Sequence, residues 1–106
     1  MSIRHLEKLF EPDSVAVIGA SPRAGSVGAT VWRNLREGGF AGPRWAVNPK
    51  HREIDGERAF ARVADLPTAP DLAVICTPPA SVAGLVTELG ARGTRAVVVL
   101  TAGLTR

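Results

Sequence analysis

Three stretches of the chain are almost unbroken runs of apolar residues. Ser14-Val-Ala-Val-Ile18 leads into Gly19-Ala-Ser-Pro-Arg-Ala-Gly25, Leu72-Ala-Val-Ile-Cys76 into Thr77-Pro-Pro79, and Arg95-Ala-Val-Val-Val-Leu100 into Thr101-Ala-Gly103. The runs are rich in β-branched residues and do not alternate with polar ones. Strands covered by helices on both faces have this composition, so the runs predict central strands of a parallel sheet. A weaker fourth strand is Arg44-Trp-Ala-Val47, closed by Asn48-Pro49.

Helical spacing fills two of the intervals. Val27, Val31 and Leu35 share one face of a helix that Gly38-Gly39 stops. Val82, Leu85, Val86 and Leu89 form the i, i+3, i+4, i+7 stripe of a second helix, with Ser81 as its expected cap and Gly90 and Gly93 at its end. A short amphipathic turn, Leu6 to Phe10, precedes the first strand and stops at Pro12. Residues 51–70 are polar and carry the turn signal Asp55-Gly56; a short helix and edge elements are both left open for them. The order strand, helix, strand, irregular crossover, strand, helix, strand predicts an α/β, Rossmann-like doubly wound parallel sheet. Residues 1–106 read as a single domain that breaks off after the fourth strand, and hence as a fragment of a longer protein.

Composition narrows the functional classes. At 106 residues, 45% apolar and 22% charged, the chain has the balance of one globular domain. No apolar run reaches the ~18 residues of a membrane span, and the N-terminus lacks a secretory signal, so a cytoplasmic protein is expected. The single cysteine, Cys76, excludes an internal disulfide or a multi-cysteine zinc site. The net charge of +3 is modest and dispersed. Basic and aromatic residues do not interleave, which argues against nucleic acid. Trp32 and Trp45 read as packing residues, Cys76 as an inert thiol, and His5 and His51 as surface histidines. No catalytic set and no metal-ligand spacing is assigned.

Candidate chemistry sits in the glycine-rich turn after the first strand. The amides at a helix N-terminus and the helix dipole favour an anion, and a Gly-rich strand-to-helix turn is the usual way to bring a phosphate there. Gly19 suits a sharp turn at the strand end, Gly25 a close approach of backbone to pyrophosphate, and Gly28 tight helix–strand packing. Arg23 stands where the strict G-x-G-x-x-G fingerprint has its first glycine. The second strand ends in Asn48-Pro49-Lys50, with no carboxylate at its tip to accept from the ribose hydroxyls of NAD. Lys50 instead suits a ribose phosphate, as in NADP or the 3′-phospho-ADP of coenzyme A. Thr77-Pro78-Pro79 supplies an apolar wall at the same sheet edge.

The spaced motifs Val15-Ala-Val-Ile-Gly19-Ala-Ser21, Gly25-Ser-Val-Gly28, Asn34-Leu35, Gly39-Phe-Ala-Gly42, Val47-Asn-Pro-Lys50, Ile54-Asp-Gly56, Leu66-Pro67, Pro70-Asp-Leu-Ala-Val74 and Thr101-Ala-Gly103 extend along nearly the whole chain. Together they resemble the CoA-binding domain of the NDP-forming acyl-CoA synthetases. That family includes ADP-forming acetyl-CoA synthetase and is related to the α subunit of succinyl-CoA synthetase. The same module is similar to the ligase-like part of protein acetyltransferases fused to a GNAT domain. The resemblance implies coenzyme A as cofactor, held by Gly19, Ala20, Ser21 and Arg23 and by the helix start Ser26, Val27 and Gly28. It implies Asn48, Pro49 and Lys50 at the 3′-phospho-ADP end. It further implies Thr77, Pro78 and Pro79, with Leu100, Thr101 and Ala102, along adenine and pantetheine.

The resemblance also implies CoA or acyl-CoA and the remaining ligase domains as partners, without nucleic acid or membrane. It places the family's phosphorylated histidine in a following domain, and neither His5 nor His51 matches its motif. Leu104 and Thr105 depart from the Phe and Glu that often stand there. Other readings are a free-standing CoA-binding regulatory module, a GNAT-fused acetyltransferase and an NADP-binding oxidoreductase fragment.

Overall fold

A computed structural model describes residues 11–100. The amphipathic turn expected at Leu6 to Phe10, His5, and the site candidates Thr101 and Ala102 lie outside the described residues. Six strands form one sheet in the order β3-β4-β2-β1-β5-β6. They are β1 (Val15–Ile18), β2 (Arg44–Val47), β3 (Glu53–Ile54), β4 (Glu57–Phe60), β5 (Leu72–Ile75) and β6 (Ala96–Val99). The two helices are α1 (Val27–Glu37) and α2 (Val82–Arg92). All pairings are parallel except β3 with β4.

β1, β2, β5 and β6 are the four strands that the apolar runs predict. The unassigned segment 51–70 supplies the other two and a 3-10 turn at Val63–Asp65. These strands escape a hydrophobic-run criterion because Glu53-Ile54 and Glu57-Arg-Ala-Phe60 mix charge with apolar residues. The turn signal between them holds: Asp55 (φ 54°) and Gly56 (φ 82°) both take left-handed conformations, as a tight hairpin requires.

The pleat of β1 divides the interior into two layers. Val17 packs with Ala20, Trp32, Ala46, Ile54 and Ala59 on the α1 face. Ala16 and Ile18 pack with Val47, Phe60, Val63, Ala73, Ile75 and Leu89 on the α2 face. All four β1 residues are buried, so the sheet is covered on both sides, as the non-alternating runs imply. On α1 the fully buried residue is Trp32, with Val31 and Leu35 at its flank. On α2, Val82, Leu85 and Leu89 pack inward, whereas Val86 is 41% exposed and leaves the expected stripe. No helix among the described residues is long and apolar enough to cross a membrane.

Charge fastens the β4 side of the sheet. Glu57 accepts from Arg44 (Nη2 to Oε2, 2.7 Å) and from Arg36 (Nε to Oε2, 3.0 Å), so α1, β2 and β4 meet at one carboxylate. The hydrogen bonds from Arg44 hold the Glu57 carboxyl below its ordinary range, and Glu57 in turn raises Arg44. A carboxyl with a lowered folded-state pKa stabilises fully above its unfolded value and loses that contribution as pH falls through the folded value. Glu57→Gln is therefore expected to cost about 1 kcal/mol at pH 7 in urea denaturation. The gap between variant and parent should close as pH falls below the usual glutamate range. A gap that persisted unchanged in acid would show that charge is not what the carboxylate contributes.

Candidate functional site

The topology sets where a ligand can sit. β1 connects to β2 on one side and its other neighbour is β5, so the connections diverge at the carboxyl ends of β1 and β5. Open α/β sheets bind their ligands in that crevice. Amide Gly19 N donates to Val47 O (2.8 Å) and Cys76 N to Ile18 O (2.7 Å), carrying the ladder to the edge of the opening.

Two glycines make this edge possible. Gly19 adopts φ +95°, and a Cβ there would lie 3.0 Å from the carbonyl carbon of Cys76. A Cβ on Gly28 would collide with the Gly19 carbonyl oxygen, so only glycine lets the first turn of α1 settle on the end of β1. Ser26 caps that helix: its Oγ accepts from Ala29 N (3.1 Å) and donates to Arg23 O (2.8 Å). The side chain of Ser26 is thereby committed, and the first amides of α1 remain as anion donors. Ser21 Oγ accepts from Arg23 N (3.0 Å), which shapes the turn from within.

A cleft of about 530 Å³ opens at this edge on the face that α2 covers. Of the sequence-predicted residues, Gly19, Asn48, Pro49, Lys50, Thr77 and Pro78 line it. Ala20, Ser21, Arg23, Ser26, Val27 and Gly28 form the adjoining turn and helix start, with Ala20 buried. Pro79 begins the 3-10 turn before α2, and Leu100 is exposed just past β6; neither lines the cleft.

Several predicted side chains turn out to build the site from inside. Asn48 Nδ2 donates to Ala20 O (2.8 Å), and its Oδ1 accepts from Lys50 N (2.8 Å). One amide thus joins the loop after β2 to the turn after β1 and aims the chain at Lys50. Ser81 does not cap α2; it is itself in an α-helical conformation. Its hydroxyl donates to Pro78 O (2.8 Å), which leaves Thr77 Oγ1 as the donor in their 2.6 Å contact.

The remaining lining comes from places the sequence reading left aside. Ala61, Arg62, Val63 and Ala64 follow β4 in the unassigned segment, and Leu85 and Glu88 project from α2. Arg92 holds these walls together by donating to Val63 O (2.7 Å) and Leu66 O (3.2 Å). The periodicity of α2 already marked Leu85, as a core residue. Nothing in the pattern of Glu57–Phe60 marked the residues after it.

Cys76 also lines the cleft, half-buried, and burial pushes its thiol up to about 11. It is therefore a neutral thiol near pH 7 and a poor nucleophile. Among the described residues, no group of His, Cys, Asp and Glu side chains is placed to hold a metal ion.

Fold and edge together define a nucleotide-binding domain of the Rossmann-like class, with its ligand crevice at the β1/β5 switch point. Comparison with known sequences narrows the class: residues 13–105 match the family model of the CoA binding domain, and the chain belongs to that family. It is 46% identical over 98 residues to an ADP-forming acetate–CoA ligase of Archaeoglobus fulgidus, and 43% identical over 102 residues to a trans-feruloyl-CoA synthase from an unknown prokaryotic organism. These alignments cover 92% and 96% of the chain but 14% of each relative. Among solved structures, acetyl-coenzyme A synthetase 1 of Ca. Korarchaeum cryptofilum, in complex with phosphate and ADP, superposes with a TM-score of 0.85 at 37% identity. That match covers 93% of this chain and 21% of the synthetase.

Coenzyme A is the cofactor of this family, and the residues present fit it. Adding a Cβ at Gly28 would displace the helix end, no atom crowds Gly25, Lys50 stands exposed at the cleft, and Ile18, Val47, Val63 and Pro78 give it apolar walls.

Gly28→Ala is expected to cost about 1–3 kcal/mol or more by overpacking. Gly84→Ala, mid-helix with open space around it, should be neutral or stabilise by up to about 1 kcal/mol. Denaturation midpoints of the two variants check this, and equal effects would contradict the role given to Gly28. Alkylation of Cys76 should be slow at pH 7–8 and keep accelerating toward pH 11; a rate that levels off by pH 8 would contradict the raised pKa.

Proposed function

We propose that this chain is the CoA-presenting domain of an ATP-dependent, NDP-forming acyl-CoA ligase of the cytoplasm, in which further ligase domains or a partner subunit carry out the acid–thiol ligation. The observation that carries the reading is the cleft at the β1/β5 switch point, floored by Gly19 and flanked by Lys50. The names of the relatives, an acetate–CoA ligase and a feruloyl-CoA synthase, support the reaction class.

When bound, coenzyme A supplies the thiol that receives the acyl group. The chain's own residues bind and orient. The turn Gly19–Ser21 with Arg23, and the amides of Val27 and Gly28, hold the pyrophosphate at the start of α1. Lys50, aimed by the Asn48 amide, binds the 3′-phosphate as a point charge. Thr77, Pro78 and Leu85 form the apolar wall along the adenine and pantetheine. Cys76, neutral and half-buried, contributes shape and no competing thiolate.

A second reading is a free-standing CoA-binding module. It is favoured by a Thermus thermophilus protein of which this fold takes up 91% of the length, at 25% identity and a TM-score of 0.70.

Calorimetric titration with CoA, dephospho-CoA and NADPH tests the proposal. CoA should bind more tightly than dephospho-CoA, and Lys50→Ala should weaken CoA roughly tenfold while leaving dephospho-CoA unchanged. Equal binding of the two would remove the role of Lys50. Tight NADPH binding with no response to CoA would overturn the assignment.

A further inference from the structure

Lys50 is not the lone cation at this cleft. Arg62 lines it too, two residues beyond the end of β4. β2 and β4 are paired in parallel, Val47 opposite Phe60, and Asn48 N donates to Phe60 O (2.8 Å). Lys50 and Arg62 therefore leave neighbouring strands at the same edge, three and two residues beyond the paired residues Val47 and Phe60. Arg62 is held loosely. Its side chain is 75% exposed, and its contact with Asp65 is a 3.6 Å pair three residues along the chain. Arg36, Arg44 and Arg92 are held more firmly: Arg36 and Arg44 bind Glu57 at 3.0 and 2.7 Å, and Arg92 is bound to two carbonyls. Carboxylates are also near: Asp65 beside Arg62, and Glu88 in the wall formed by α2.

The strand order separates the two anionic ends of the ligand. The glycine turn belongs to β1, whereas Lys50 and Arg62 belong to β2 and β4, farther along the sheet. A terminal phosphate dianion presents three acceptor oxygens, more than one ammonium satisfies, and a guanidinium can engage two of them at once.

We propose that Arg62 is a specificity-determining residue of the CoA site, which with Lys50 grips the 3′-phosphate and exchanges Asp65 for it when the ligand enters. The proposal rests on the CoA reading given above and deepens it. Asp65 then acts as a resting partner that competes with the ligand.

Titrations of the purified chain with CoA and dephospho-CoA separate this proposal from the reading beneath it. Arg62→Ala should weaken CoA roughly tenfold and leave dephospho-CoA unchanged, and Arg62→Lys should recover part of the loss. Asp65→Asn should tighten CoA about two- to threefold, and should have no effect when Arg62→Ala is also present. Both positions are exposed, so thermal melts of the variants should match the parent within a few degrees. A CoA affinity unmoved by Arg62→Ala, or equal losses for both ligands, would overturn the role of Arg62 while leaving the CoA assignment standing. A parent chain that prefers CoA no more than dephospho-CoA would overturn this proposal together with the role of Lys50.

Discussion

The closest approach in the site is between Gly28 and the carbonyl of Gly19, and much else follows from it. Because no Cβ intervenes, the first turn of α1 rests directly on the end of β1. That contact brings the amino end of a helix to the carboxyl edge of the sheet, beside the turn that carries Gly19 to the cleft. The next residue, Ala20, accepts from Asn48, whose Oδ1 in turn accepts from Lys50 N, so the same turn is joined to the loop after β2. A methyl at Gly28 would press on the Gly19 and Ala20 backbone, the turn itself.

The second constraint is electrostatic and lies on the β4 side. Glu57 gathers Arg36 from α1 and Arg44 from β2, tying the short β3–β4 hairpin to the main sheet. The tie adds to the two residues of β4 paired with β2 and to the burial of Ala59 and Phe60 in the two core layers. The clasp works from the flank of β4, while the residue after Ala61 stays exposed at the cleft. The fold thus divides these arginines between structure and surface.

The three apolar runs were legible because they carry no polar alternation to confuse the pattern, and β1, a central strand, is buried along its whole length. The glycine turn was legible for a similar reason: a sharp turn and a close helix–strand approach exclude every side chain, so the sequence must display the solution openly. β3 and β4 were not legible, because they are short and mix charged with apolar residues. The expected stripe on α2 failed at Val86, which is 41% exposed while Val82, Leu85 and Leu89 pack inward.

For the site, the sequence by itself determined that the turns after β1, β2 and β5 matter at the cleft, the absence of a carboxylate at the tip of β2, and the family through its spaced motifs. Local rules suffice for these, since each depends on residues adjacent in the chain. Only the tertiary structure decided how the side chains divide their work. Ser26, Asn48, Thr77 and Ser81 turn their polar atoms inward to shape the loops, while Arg62 and Glu88 reach the cleft from a crossover and a helix flank. Those assignments depend on which strands lie side by side. The order β4-β2-β1-β5 is set by packing across the whole sheet and is written in no single stretch of the chain.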